Sequence, residues 1–145
     1  ILNNPSLCDD QVDPNRPQFW MPGADFASNS VQVQRGYKWM NGMAVNTGIT
    51  TILPPNSTVC SNGNNTFTIG IYGPSSRHVG GAHILMGDGS VVFLTDSIEA
   101  GDPSIGNVRW NGTGPQAPGS ESPYGLWGAL GTCASGEVIE ASFND

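Results

Sequence analysis

Lysine occurs once in this chain and arginine four times, against twelve carboxylates, which leaves a net charge of -7. So few cations exclude a phosphate-neutralising patch, and with it a nucleic-acid partner. Long apolar runs are missing as well: none approaches the ~18 residues that a helical bilayer crossing requires. There is no C-x-x-C pair and no Cys/His cluster, which excludes a structural zinc site. A G-x-S-x-G nucleophile elbow is absent, and no two carboxylates stand as an acid and base for glycoside hydrolysis. Charged residues make up only 12% of the chain and strong helix formers are scarce, which argues against a helical bundle. The first residue is Ile1 instead of an initiator methionine, so the expectation is a processed product or an upstream segment.

What is abundant is backbone punctuation: 20 Gly and 11 Pro among 145 residues. This favours short strands joined by structured loops, and the length suits one domain with one modest core. Residues 1–30 carry four prolines and no sustained period, and read as an irregular segment lying over a surface. Residues 31–98 read as a sheet core. In "VQVQRGYKWM", Val31 and Val33 alternate with Gln32 and Gln34, and Tyr37 and Trp39 continue one side, which predicts a half-buried strand. Asn41-Gly42 is a turn dipeptide, and Ile49, Thr51 and Leu53 alternate beyond it as a second strand, stopped by Pro54-Pro55. A short strand over "TFTIGIY" (66–72) leads into "GAHILM" and "SVVFL", two β-rich runs around Gly87-Asp88-Gly89 that predict a hairpin. Residues 99–145 read as loop and C-terminal strand. "TDSIEAGD" (95–102) suggests a helical turn, Leu126 to Leu130 another, and Glu137 to Ser142 the last strand. The expected fold is a mainly β, antiparallel single domain with long Gly/Pro-rich loops.

Both histidines, His78 and His83, lie within "SSRHVGGAHILMGDGSVVFL", five residues apart and followed by Asp88 after five more. A metal site is one reading, but odd separations on a strand face opposite sides, and only a bend at Gly80-Gly81 would reunite them. Ser75 and Ser76 nominally complete a triad with His78, yet Asp88 at a hairpin tip more naturally caps its own turn. The structural reading therefore leads: His78 anchors a turn through ring hydrogen bonds, and Gly80 and Gly81 admit another backbone.

Asp9, Asp10 and Asp13, with Asn3 and Asn4 nearby, offer hard oxygen ligands for calcium, although their spacing does not follow the EF-hand template. Trp20, Trp39, Trp110 and Trp127, along with Phe19, Tyr37 and Tyr124, are candidates for a subunit interface or for stacking on sugar rings. Three N-x-[ST] sequons, at Asn56, Asn64 and Asn111, accompany an Asn/Ser/Thr/Gly-rich composition suited to an exported surface protein. With three cysteines, one is left over whatever pairs. Cys8 with Cys60 is the expected disulfide, since both sit in polar, turn-rich stretches, with three unpaired thiols as the alternative.

His78, nine residues, then Asp88-Gly89 resembles the H-x9-DG signature of a family of bacterial prepilin-like proteins, a domain of unknown function abundant in planctomycetes. "ITTILPPNSTVC" (49–60), "GIYGPSSRHVGGAHILMGDGSVVFLTDSI" (70–98) and "SPYGLWGALGTCASGEVI" (122–139) resemble that family's C-terminal half in the family's order, with "RGYKWMNG" (35–42) a looser fourth block. Val79 stands where the family commonly has Pro, and Cys133 where it has Arg. The resemblance implies a pilin-like fold whose N-terminal helix, the one route to a membrane, is not in this chain. It also implies a non-enzymatic structural role at the cell surface or outside it: a pilus-like or pseudopilus-like homo-oligomer or filament. His78, Gly80, Gly81, Asp88 and Gly89 would hold the signature hairpin, and Cys133 could bridge subunits. No cofactor is implied. The alternative is a surface-displayed binding module dependent on carbohydrate or calcium.

Overall fold

A computed structural model describes residues 1–24, 34–133 and 135–139 of the chain. It is a mainly β domain of small, open antiparallel sheets with few and short helices. Strands β1 (Cys60–Ser61) and β2 (Gly70–Ile71) form one two-stranded sheet, and β3 (Gly81–Leu85) and β4 (Val91–Thr95) form the other. Helix α1 spans Ala44–Thr47 and α2 spans Gly125–Leu130. The expected hairpin and the expected turn near Leu126 are both present.

Several other segments differ from the sequence reading, each for a local reason. Residues 34–40 are turns, not a strand, and Val31 and Val33 lie outside the described residues. Gly36 takes a left-handed φ of 74° and gives its N–H to the Asn46 carbonyl at 2.9 Å, so its donor is spent away from any ladder. Residues 49–53 run beside Tyr72 without forming a ladder. Thr50 N–H donates to the Tyr72 carbonyl at 3.0 Å, but the return bond from Tyr72 N–H goes to Thr50 Oγ1 at 2.9 Å. A side-chain oxygen thus replaces the backbone acceptor. Ile52 and Leu53, adjacent in sequence, are both buried, so the segment lacks the one-sided burial that its alternation predicts.

Of "TFTIGIY" only Gly70–Ile71 pairs, because Thr68 turns inward: its Oγ1 accepts Asn65 N–H and its carbonyl accepts the Tyr72 hydroxyl. The irregular N-terminal segment contains a 3-10 helix, Pro5–Gln11, with proline in its first turn and Cys8 buried. Residues 95–102 make a single turn, Ile98 N–H to Thr95 carbonyl, and not a helix. Residues 137–139 form no strand, and 140–142 lie outside the described residues.

The core joins distant parts of the chain. Cys8, Ile52, Leu53, Ile71 and Tyr124 form one apolar cluster, and Cys8 is disulfide-bonded to Cys60 with Cα atoms 5.9 Å apart. Tyr124 donates its hydroxyl to the Ile105 carbonyl at 3.0 Å, and burial pushes its phenol up to about 12. Trp127 is 1% exposed, and its indole N–H reaches the Leu53 carbonyl at 2.7 Å. That corrects one expectation: Trp127 is a core residue, turned inward by its bond to Leu53, and is not available to a subunit or a sugar.

Candidate functional site

The signature stretch builds a hairpin from its turn outward. Asp88 Oδ1 accepts both the N–H of Ser90, at 2.9 Å, and its hydroxyl, at 2.7 Å. Gly89 sits at φ 88° and gives its N–H to the Met86 carbonyl at 3.0 Å, while Met86 N–H reaches the Ser90 carbonyl at 2.8 Å. This is a three-residue loop over Gly87, Asp88 and Gly89 with glycine in the left-handed position. The two serine bonds hold the Asp88 carboxyl below the usual aspartate range, its side-chain bond to Ser90 being the larger cause. At the other end Gly80 is left-handed at φ 89° and its carbonyl accepts Asp96 N–H. Gly81 has no room for a side chain, since a Cβ would run into the Leu94 carbonyl.

The hairpin does not gather His78, His83 and Asp88. His78 is exposed before the root, its backbone N–H bonded to Ser76 Oγ at 3.2 Å, and its ring makes no hydrogen bond among the described residues. His83 lies mid-strand opposite Phe93, ring centroids 5.1 Å apart and edge-on. Asp88 is at the tip. Among the described residues no three His, Cys, Asp or Glu side chains come together to hold a metal. That covers Asp9, Asp10 and Asp13 too, of which Asp13 pairs with Arg16 at 3.0 Å.

Asn56, a sequon in the sequence, has a structural role that the sequence reading does not give it. Its backbone is left-handed at φ 62°, and its side chain bridges three segments. Asn56 Nδ2 donates to Asp96 Oδ1 at 2.8 Å and to the Gly81 carbonyl at 3.4 Å, and Oδ1 accepts Ser76 N–H at 2.7 Å. The hairpin root is therefore tied to the Pro54-Pro55 segment through one amide. All three sequon asparagines are exposed, and the amide nitrogen of Asn56 is engaged by two acceptors, Asp96 Oδ1 and the Gly81 carbonyl. The sequence signal for this role is Asn after Pro-Pro, a residue type that tolerates left-handed backbone.

Further links close the same frame. Glu99 accepts Leu126 N–H at 2.7 Å on Oε2 and Gly101 N–H at 2.7 Å on Oε1, and its carbonyl accepts Trp127 N–H at 2.9 Å. Residues 49–60 are bonded to both 70–98 and 122–139: Thr50 to Tyr72 and Asn56 to Asp96 on one side, Leu53 to Trp127 on the other. Two of these links satisfy a backbone carbonyl, those of Leu53 and Tyr72, and the third joins two side chains.

The surface carries the remaining candidates. Trp20, in an isolated antiparallel bridge to Val12, and Trp39 and Trp110, on two separate turns, are exposed, Trp110 at 86%. Cys133 is an exposed free thiol. A cleft of about 290 Å³ is lined by Thr50, Thr51, Ser120, Ser122 and Thr132 over an apolar floor that includes Ile52. Among the described residues no helix is long and apolar enough to cross a membrane.

Residues 5–101, about two thirds of the chain, match the model of a family described as "Protein of unknown function (DUF1559)". The match takes in the hairpin and the Asn56 junction and stops before the Trp127 block. No curated protein and no solved structure matches.

Proposed function

We propose that this chain, which belongs to the DUF1559 family, is a non-enzymatic structural subunit of a pilus-like or pseudopilus-like assembly outside the cell or on its surface, acting by self-association. The observation that carries this reading is the exposed apolar surface: Trp39, Met40, Phe67, Val79 and Trp110 are each more than three-quarters exposed on a domain with a thin core. Open strand edges in both two-stranded sheets add unpaired backbone donors and acceptors that another copy can meet. The Cys8–Cys60 disulfide, set in the core, suits an oxidising compartment. The H-x9-DG resemblance supplies the pilin-like role, with the signature residues as a folding frame. Electron micrographs of native material test the reading: filaments or tubes are expected, and dispersed particles at high concentration overturn it.

A second reading rests on the hydroxyl-lined cleft, which suits a neutral, polyhydroxylated ligand and would make the domain a carbohydrate-binding module. Retention on a polysaccharide column that is lost on Ser120→Val would favour it. For its calcium-dependent form, the expected result is a fall in melting temperature on adding EDTA.

A further inference from the structure

The loop over residues 34–43 presents large apolar side chains on a braced base. Tyr37, Trp39 and Met40 are 59%, 76% and 81% exposed. Beneath them, Asn41 Nδ2 donates to Asn46 Oδ1 at 2.9 Å, Asn41 Oδ1 accepts Met43 N–H at 3.1 Å, and Thr47 Oγ1 donates to the Asn41 carbonyl at 2.7 Å. Arg35 is drawn back over the Tyr72 ring, 5.3 Å from its centroid. The tip therefore stands away from the body in a set conformation, which lowers the ordering cost of binding.

Charge along the chain is segregated around this loop. Residues 26–87 contain no Asp or Glu and carry Arg35, Lys38 and Arg77. Residues 88–145 hold eight carboxylates against Arg109. The acidic part also contains a complementary hollow of about 320 Å³, lined by Glu121, Leu126, Ala129, Glu137, Val138 and Ile139. Its size is at the small end of ligand pockets, ~300 Å³, room for an indole. Glu137 is held in place there by Ser122 N–H, at 2.5 Å, and by the Thr132 hydroxyl. Trp39 is exposed, so it does not fill the hollow of its own chain.

We propose that the 34–43 loop of one copy inserts into the Glu121/Glu137 hollow of a second copy, with Trp39 on the apolar floor and Lys38 toward the carboxylates. The contact uses different surfaces on the two partners, so it repeats head to tail, into a filament or a ring, instead of ending at an isologous dimer. A copy of this chain is the fitting occupant because it supplies both an uncompensated acidic half and the hollow itself, and the pairing is steered by opposite charge. The proposal deepens the self-association reading above and rests on it.

Two variants of the 145-residue chain separate the contact from the broader reading. Trp39→Ala keeps the hollow and loses the insert; Glu121→Lys keeps the insert and repels it from its own kind of hollow. Each alone should associate more weakly than the parent in sedimentation velocity, by on the order of 30-fold for Trp39→Ala, as for loss of a central interface tryptophan. Mixed, they should form a one-to-one dimer that does not extend, weakened as salt is raised. Lys38→Glu repeats the Glu121→Lys defect from the other side, and the double variant K38E/E121K restores association, which a misfolded single variant would not permit. Association of all variants at the parent's strength, or no dimer on mixing, overturns the contact. Trp39-dependent sedimentation with phosphatidylglycerol vesicles in place of pairing also overturns it, in favour of a lipid surface. Filaments in native material together with a failed mixture would leave the assembly reading standing without this contact; a dimer on mixing with native material dispersed would do the reverse.

Discussion

The β3–β4 hairpin and the body of the domain are built by opposite means. The hairpin is local: every bond in its turn joins residues within four positions, and its two strands follow one another directly. The body is non-local: Trp127 is bonded to Leu53 across 74 positions, Cys8 to Cys60 across 52, and Asn56 to Asp96 across 40. The lesson is that a sequence signature need not coincide with what sustains the fold. Asp88 and Gly89 shape the turn of one hairpin, whereas the body is held by links between residues far apart in sequence, the Cys8–Cys60 bridge among them.

The contrast breaks most visibly at the tryptophans. Trp127→Ala removes a buried indole and leaves the Leu53 carbonyl without its donor, so a loss of about 3 to 5 kcal/mol is expected by urea or thermal unfolding. Trp110→Ala, at 86% exposure, should fall within about 0.5 kcal/mol of the parent. Equal costs for the two would remove the distinction between core and surface aromatics.

Cys8→Ser comes next. Opening a loop of 52 residues costs about 3 to 4 kcal/mol, and Cys8 belongs to the apolar core besides. The fall in melting temperature should match that of the parent under full reduction. A variant as stable as the oxidised parent would show that the bridge constrains nothing.

How far these elements could be read from sequence follows the same division. Gly87-Asp88-Gly89 between apolar runs announces a hairpin because strand propensity and turn chemistry are both local there. Residues 34–40 read as a strand but form turns, because alternation of Val and Gln up to residue 34 says nothing of Asn46 capturing Gly36 N–H from ten positions away. Trp127 and Trp110 have similar Gly-rich neighbours, and only the Leu53 carbonyl, set by the Pro54-Pro55 stop, distinguishes the buried one. Asp9, Asp10 and Asp13 look alike as ligands in sequence, but Asp13 is already committed to Arg16 and Asn15.

Asn56 lies between the two regimes, since it ties a local hairpin to a distant segment. Asn56→Ala removes three side-chain bonds and places a Cβ-bearing residue without a polar side chain at φ 62°. A cost of about 2 kcal/mol is expected, from net hydrogen-bond values near ~1 kcal/mol each, discounted for exposure, plus left-handed strain of ~1 kcal/mol. Asn56→Gly should recover the strain but not the bonds. Hydrogen exchange should accelerate at Ser76 and Asp96 first, and uniform acceleration through the core would show instead that the junction is not a separable unit.

The smallest effect belongs to the turn itself and sharpens the comparison from the other side. Asp88 is held below its ordinary titration range by Ser90, so the carboxylate favours the folded turn at pH values above the ordinary aspartate range. That contribution disappears as pH falls through the lowered value, where protonation removes the acceptor that binds Ser90. Because the group is fully exposed, the change should be confined to the tip: a carboxyl-carbon NMR titration of Asp88 should have a low midpoint, with Ser90 N–H exchange rising as it titrates. Ser90→Ala should move the midpoint up toward the ordinary value while leaving the Trp127 environment unchanged by near-ultraviolet circular dichroism. A coincident loss of the Trp127 signal would mean that hairpin and body unfold together, and the division between local and non-local stability would then fail at its most sensitive point.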